Sequence, residues 1–279
     1  MKKRKILDSM LFGLMALALG IVMAFLVFVI VYIVRSSAGF LDFSFIFRSP
    51  AEGGIFPMVI TTLYVVLVSI VLALPVGVIT AIFLNEYSVN SPLIRLLRLA
   101  IETLAGIPSI IYGLFGLLIF CRVLGFGQSI ISGSLTLSIM ILPVIIRTTE
   151  ESLKSIPDSF REASLSLGAT KFQTIIHAVI PPALPGIVNS IILAIGRVVG
   201  ESAPVLLTVG LTKNLPRSIF ESGRTLTIHL YYLTSEAVNP EDFGIAFATA
   251  AVLVILVLII NSITKLISSV FRNKSRGLV

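Results

Sequence analysis

Six long runs of apolar residues constrain the fold of this chain more than any other feature of its sequence. They cover residues 11–34, 57–84, 103–120, 123–146, 178–211 and 243–264. Only the fifth run contains charged residues, and it has two. An α-helix needs about 20 apolar residues to cross the hydrocarbon core of a bilayer, whereas barrel strands are short and alternate in polarity. The sequence therefore predicts an all-α, polytopic membrane protein with six transmembrane helices.

The composition excludes two other classes of protein. Hydrophobic residues make up 56% of the chain and charged residues 13%, whereas soluble domains average about 45–50% and about 25%. A water-soluble globule of this composition would lack the polar residues to cover its surface. Disordered chains are poor in apolar residues, so disorder is excluded as well.

The basic residues predict the orientation of the chain in the membrane. If the N-terminus is cytoplasmic, 14 of the 21 Lys and Arg residues fall in cytoplasmic segments and six in external ones. Positive residues concentrate on the cytoplasmic side of membrane proteins, so both termini are predicted to be cytoplasmic. The net charge of +7 then needs no nucleic-acid partner. The first run is longer than a signal-peptide core, and we interpret it as an uncleaved span.

The largest cytoplasmic loop, residues 147–182, is predicted to form a helix–turn–helix. Pro157 and Asp158 suit a helix start, and Gly168 suits its end. Thr170 and Gln173 have the spacing of a capping box that opens a second helix. We expect this helix to stop before the fifth span at three prolines, Pro181, Pro182 and Pro185.

One face of the first loop helix is apolar, with Phe160, Ala163 and Leu167 at helical spacing. Such a stripe is too short to form a core of its own. It fits an amphipathic loop that lies on the membrane surface, and it fits equally a coupling element that inserts into a partner protein.

The segment Arg161–Thr170, followed by Ile180 and Pro181, resembles the EAA loop of permease subunits of ATP-binding-cassette importers. It departs from that pattern at Ser164 and Ala178. The resemblance implies that the loop docks into a separate ATPase subunit. The residues it implicates are Phe160, Arg161, Glu162, Ala163, Ser164, Leu165, Gly168 and Ala169. Because the chain has no Gly-rich phosphate loop, ATP is expected on that partner, and no catalytic residue, cofactor or metal is expected here.

Two charged residues lie within the fifth apolar run, Arg197 and Glu201. A spacing of four places them on one face of a helix, where they can pair. A central Arg costs about 2.5–3.5 kcal/mol on membrane insertion, so it is expected to face a cavity or a partner. The pair fits a structural ion pair between packed helices, and it fits an anion site, because the guanidinium fork matches phosphate oxygens.

Two further segments, Gly200–Leu207 and Leu104–Gly116, resemble the permeases of phosphate importers, and the Glu-Ser-Ala-Pro sequence resembles their A-type. This resemblance implies the MetI-like permease fold and a phosphate pathway at Arg197 and Glu201. It also implies a second, C-type permease, two ATPase subunits, an external phosphate-binding protein and a bacterial or archaeal plasma membrane. The implied division is residues 1–56 (first helix and external loop), 57–270 (permease core) and 271–279 (cytoplasmic tail).

Other functions stay open from the residues alone. A single Arg does not separate tetrahedral anions, so a sulfate or molybdate permease is an alternative. An ion-coupled secondary transporter would need further carboxylates in the membrane and usually an internal repeat. A membrane scaffold would leave Arg197 unexplained.

Overall fold

The computed structural model describes residues 2–88 and 91–276, and all regular secondary structure among them is helical. The helices are α1 (Lys2–Ser37), α2 (Phe43–Phe47), α3 (Phe56–Ile82), α4 (Pro92–Gly106), α5 (Ser109–Gly116), α6 (Ile130–Lys154), α7 (Asp158–Ser166), α8 (Lys171–Thr174), α9 (Ile180–Gly200), α10 (Ala203–Thr208), α11 (Leu226–Glu236) and α12 (Pro240–Arg276). Three π-helical turns extend α3 (Phe83–Tyr87), extend α5 (Leu117–Val123) and join α8 to α9 (Ile175–Val179). The all-α prediction is confirmed.

Among the residues that the structure describes, five helical segments are long and apolar enough to cross a membrane. They are Met10–Ser37, Phe56–Tyr87, Ile130–Lys154, Lys171–Gly200 and Glu241–Leu266. A sixth crossing is made if Pro92–Gly106 and Ser109–Val123, which meet at 102°, count as one broken span. The number of spans matches the prediction of six, although their boundaries differ.

The third span is not the single run 103–120 that the sequence predicts. It breaks at Ile107 and Pro108, whose ψ angles of 131° and 140° are extended. Pro108 lacks an N–H and pushes the residue before it away from helical geometry. The Tyr112 hydroxyl donates to the Leu104 carbonyl at 2.6 Å and fastens the two halves across the bend. The broken span therefore starts at Pro92, where the Ser91 hydroxyl caps α4 by accepting from the Ile94 N–H.

The fifth span also differs from its prediction, because the prolines do not stop the preceding helix. The helix is continuous from Lys171 to Gly200, and Pro181 lies in the first turn of α9. The Ile180 N–H donates to the carbonyl of Ile175, five residues back. This widened π turn moves the carbonyls that the proline rings would otherwise meet. The span thus begins earlier than predicted and ends at Gly200 rather than near Leu211.

The core lies where α3, α6 and α9 pack together. Leu137, Ile141 and Ile145 of α6 are fully buried there, against Val65 of α3 and Ala194 of α9. The first helix differs from these three, because none of the 18 residues in its most apolar stretch is buried. It contacts α12 near its C-terminal end, where the rings of Tyr32 and Phe247 meet edge to face at 5.5 Å.

Candidate functional site

The charged pair of the fifth span lies at the end of α9. Arg197 Nε is 3.8 Å from Glu201 Oε1, so the predicted pairing is present. Arg197 is in the last turn of α9, whereas Glu201 follows the helix with extended backbone (φ −77°, ψ 132°). The pair is therefore near one end of a 30-residue span and not at its centre, because the helix starts early and stops at Gly200. A helix C-terminus favours a cation such as Arg197.

One side of this pair is open. The side chains of Arg197 and Glu201 are 31% and 17% exposed. A Cβ added to Gly196 or Gly200 would meet no atom within 4 Å beyond the neighbouring backbone of its own helix. The guanidinium can therefore be reached from outside this chain while it stays close to its carboxylate.

The other side of the pair is held firmly. The hydroxyl of Thr227 in α11 donates to the Glu201 backbone carbonyl at 3.2 Å. A Cβ on Gly113 would lie 2.8 Å from Cα of Pro204, so α5 and α10 are in close contact. The Ser129 N–H donates to the Thr208 carbonyl at 2.9 Å and joins the end of α10 to the start of α6. The chain is thus fixed just beyond Arg197.

The loop of residues 147–182 forms the predicted helix–turn–helix. Helix α7 begins at Asp158 after Pro157, and Gly168 follows it with φ +84°. The Gly168 N–H donates back to the Leu165 carbonyl at 2.9 Å. Thr170 and Gln173 exchange both hydrogen bonds of a capping box at the start of α8. These local predictions are confirmed.

Helix α7 presents apolar side chains to its surroundings. No residue of α7 is buried, and Phe160 and Leu165 are about half exposed. Leu167, predicted on the same stripe, lies just past the end of the helix and is 89% exposed. Glu162, Ala163 and Gly168 are exposed as well, and Ala169 is half-buried. Clustered apolar exposure outside the spans is typical of a protein interaction surface.

Arg161 and Ser164 instead bind their own chain. The Arg161 guanidinium donates to both carboxylate oxygens of Glu86, at 2.7 and 3.2 Å, and to the carbonyls of Leu153 and Ile156. Hydrogen bonding to Glu86 raises the pKa of Arg161, so its charge is fixed. The Ser164 hydroxyl lies 2.9 Å from that of Thr174 in α8. These two residues hold the loop in position, and contact with a partner stays a prediction for them.

Two acidic residues organise this end of the bundle through basic partners that the sequence does not identify. Glu86 has only 6% of its side chain exposed and anchors Arg161. Glu150 is buried in α6 and pairs with Arg98 of α4 and, at 2.8 Å, with Lys154. Both carboxylates follow apolar runs, but their basic partners Arg161 and Arg98 lie 75 and 52 residues away. Helical spacing gives no signal for such pairs.

Neither histidine takes part in a cluster with metal-ligand chemistry. Within residues 2–88 and 91–276, no group of three or more His, Cys, Asp or Glu residues could hold a metal ion. His177 Nδ1 lies 3.0 Å from the Gln173 carbonyl in the turn that joins α8 to α9. His229 in α11 is buried, and burial together with the charges of Arg224 and Lys213 lowers its pKa to about 4.

Residues 73–273 match the family described as binding-protein-dependent transport system inner membrane component, which is well over half of the chain. The chain is 36% identical over 275 residues to the probable ABC transporter permease protein YqgI of Bacillus subtilis, covering 92% of this chain and 94% of that protein. It is 38% identical over 207 residues to the phosphate transport system permease protein PstA of Mycobacterium leprae, covering 74% and 67%.

Solved transporter structures share the fold. A chain of the inward-facing MetNI methionine ABC transporter superposes with a TM-score of 0.63 at 24% identity, covering 80% of this chain and 99% of that one. A chain of a bacterial alginate ABC transporter, solved with its alginate-bound periplasmic protein, gives 0.70 at 15% identity and covers 94% and 95%.

Proposed function

Because the chain belongs to the family of binding-protein-dependent transport system inner membrane components, and so is an ABC transporter permease subunit, we propose that it is the A-type permease of an ATP-driven phosphate importer. The observation that carries the substrate is the Arg197–Glu201 pair, a partly exposed guanidinium at the end of an apolar span. Three relatives at 38–40% identity are named PstA phosphate transport system permeases, which supports the same substrate.

Arg197 has the geometry to receive an anion. Its contact with Glu201 is made through Nε and is 3.8 Å long, so it is an ion pair without a tight hydrogen bond. The two terminal amino groups of the guanidinium present donors in a fork that suits phosphate oxygens. Glu201 balances the charge of Arg197 when no anion is present. The path of phosphate then runs along the open side of the pair, between this chain and a second, C-type permease.

The loop around Gly168 couples transport to a separate ATPase in this proposal. The connections between the loop and the membrane-spanning helices include Arg161 with Glu86 at the end of α3, and the unbroken helix Lys171–Gly200. That helix starts three residues after Gly168 and carries Arg197 in its last turn, about 40 Å from its first residue at 1.5 Å per residue. A displacement of α7 by the ATPase would therefore reach Arg197 through one continuous helix.

The remaining partners follow from this role. We propose two ATPase subunits, which bind ATP, and an external binding protein that delivers phosphate. The chain itself catalyses no covalent reaction. It lies in the inner membrane with both termini cytoplasmic, as its basic residues indicate.

Uptake of radiolabelled phosphate by the reconstituted complex tests the substrate. We expect ATP-dependent uptake that unlabelled phosphate suppresses and that sulfate and molybdate, at equal concentration, leave unchanged. Uptake of sulfate or molybdate in place of phosphate would assign the chain to another oxyanion importer. Uptake driven by an ion gradient without ATP would contradict coupling to an ATPase.

Gly168→Asp tests the coupling loop. The φ of +84° at Gly168 disfavours any side chain by about 1 kcal/mol or more, and Asp adds charge at the exposed turn. We expect ATPase co-purification and phosphate uptake to fall together. Ser166→Asp is the control, because it places the same charge two residues earlier, on an exposed helical position. Full recruitment and uptake in Gly168→Asp would refute the coupling role.

A further inference from the structure

A groove opens between α9 and α12 on the same end of the bundle as the loop around Gly168. Its volume is about 890 Å³. Pro185 and Asn189 line it from α9, and Ser262, Lys265 and Ser269 line it from α12. The family fold and the anion pathway assign no role to this groove, which lies far along α9 from Arg197.

The polar groups of the groove favour an anion. No carboxylate of the described residues lies within 4.0 Å of the Lys265 ammonium, whereas Lys154 nearby on α6 is paired with Glu150. Asn189 and Ser262 add an amide and a hydroxyl to the same cavity. The Ser269 hydroxyl already donates its proton to the Leu266 carbonyl at 2.8 Å, so it can only accept. Lys265, Asn189 and Ser262 are therefore the donors.

The groove lies at the depth of lipid headgroups. Lys265 is the next-to-last residue of the span Glu241–Leu266. Across the groove, Gly186 in the second turn of α9 packs against Ser152, near the end of α6. A lysine at the end of a span reaches toward the interface, where its charge is solvated or meets anionic headgroups.

A shallower apolar groove continues from this site along α12. It is lined by Ile255, Leu258, Ile259 and Ile263, shares Ser262 and Leu266 with the polar groove, and has a volume of about 280 Å³. The combined surface thus has a polar end with one unpaired cation and an apolar end that runs toward the membrane centre. A free phosphate ion would use only the polar end.

We propose that this surface is a binding site for one anionic phospholipid. The lipid phosphate accepts hydrogen bonds from Lys265, Asn189 and Ser262, and an acyl chain lies along the apolar face of α12. Cationic pockets between transmembrane helices recognise anionic headgroups in this way. The lipid would occupy the surface groove beside the packed helices α9 and α12. The existence of this site does not depend on which solute the chain transports.

The chain contains no tryptophan, so one introduced tryptophan reports on the lipid beside it. Leu266→Trp places the reporter where both grooves meet, and Leu14→Trp is the control, since both leucines are 66% exposed. The full chain is reconstituted in phosphatidylcholine vesicles that contain brominated phosphatidylglycerol or brominated phosphatidylcholine. The quenching of tryptophan fluorescence by the two brominated lipids is compared. At residue 266 we expect a preference of about fivefold for phosphatidylglycerol over phosphatidylcholine, the factor that corresponds to about 1 kcal/mol per Lys near an anionic surface. At residue 14 we expect little preference.

Charge removal completes the test. In the Leu266→Trp background, Lys265→Gln should abolish the preference, whereas Arg95→Gln, which removes an exposed charge from α4, should retain it. Equal quenching by the two lipids, or a preference that survives Lys265→Gln, overturns the proposal. So does protection from both lipids, which would show that protein covers the groove. Loss of the preference on adding inorganic phosphate would assign the groove to the free ion instead.

The assembled transporter provides a second measurement. Phosphatidylglycerol that stays bound through detergent washing is counted by mass spectrometry for the wild type, Lys265→Gln and Arg95→Gln. We expect Lys265→Gln alone to lose one lipid per chain. Equal lipid counts in all three proteins would overturn the proposal, whatever substrate the transporter carries.

Discussion

The contact between α3 and α6 and the junction between α9 and α10 both place polar groups within the membrane-spanning part of the chain, but they use them differently. At the first, Ser134 and Ser138 of α6 donate to the carbonyls of Val65 and Ser69 in α3, at 3.4 and 3.0 Å. All these residues are buried. The hydroxyls bind the two helices to each other and leave no polar atom for a ligand.

At the α9–α10 junction the polar groups remain accessible. Arg197 and Glu201 are partly exposed, and they contact each other only loosely at 3.8 Å. The glycines differ in the same way: Gly77 of α3 is packed against Ile145, whereas Gly196 and Gly200 face open space. The two regions indicate that a polar residue or glycine in a span stabilises packing when a neighbouring helix covers it. Where no helix covers it, the residue is available to a ligand or a partner.

Arg197→Gln is expected to show the difference between the two regions with the largest effect. We expect phosphate uptake to fall by roughly tenfold or more, because hydrogen bonds to charged groups contribute about 1.5–3 kcal/mol. The Tm should hardly change, since the side chain is partly exposed. Uptake by the reconstituted complex and thermal unfolding in detergent measure the two effects. Arg197→Lys, which keeps the charge but lacks the fork, should be intermediate, and wild-type uptake in Arg197→Gln would eliminate the anion role.

Gly77→Ala should show the opposite behaviour, a loss of stability with a direct packing cause. An added Cβ would lie 2.6 Å from Cγ2 of Ile145, and overpacking of this kind costs about 1–3 kcal/mol. The free energy of unfolding, measured in detergent, checks the prediction. An Ile145→Val change on the same background should not recover the loss, because Val retains Cγ2. Unchanged stability in Gly77→Ala would mean that α3 and α6 are not rigidly packed.

Ser138→Ala should lower stability less, by about 0.6 kcal/mol, the average for hydrogen bonds between membrane helices. Its hydroxyl is shared between the carbonyls of Ser69 and Ser134, and only the bond to Ser69 joins two helices. Thr103→Ala on α4 is the matched control, since that hydroxyl bonds only within its own helix. An equal loss in the two variants would contradict the interhelical role of Ser138.

Gly196→Ala should have an effect of similar small size and the opposite sign. No atom lies within 4 Å of the added Cβ, and replacing Gly by Ala inside a helix gains about 0.5–1 kcal/mol. A small rise in Tm of the isolated chain is therefore expected. A clear fall would show that the space beside Arg197 is already filled within the chain.

Local chemistry made part of this structure predictable. The six apolar runs, the left-handed Gly168 and the Thr170–Gln173 capping box each depend on residues close in sequence. The prolines were less predictable, because the effect of each one depends on the carbonyls around it. Pro108 breaks its span, Pro75 and Pro143 lie inside continuous helices, and the π turn before Pro181 keeps that helix intact.

In the candidate site, too, the local features could be predicted from the sequence and the tertiary features could not. The spacing of Arg197 and Glu201 predicted their pairing, but the break at Glu201 and the openness around it are tertiary features. The bond between Arg161 and Glu86 joins residues 75 positions apart. No periodicity in the sequence relates such residues, and so two of the residues predicted to contact a partner were found holding the loop.

The exposure of α1 has a consequence for the outline of the subunit in the bilayer. Among the described residues, Tyr32 and Phe247 hold the C-terminal end of this helix, and the family match begins 36 residues after α1 ends. Helix α1 is therefore attached to the rest of the subunit at one end. The direction of α1 in the plane of the membrane is therefore set by the molecules that contact it there. The outline of the subunit becomes definite only when these neighbours are present.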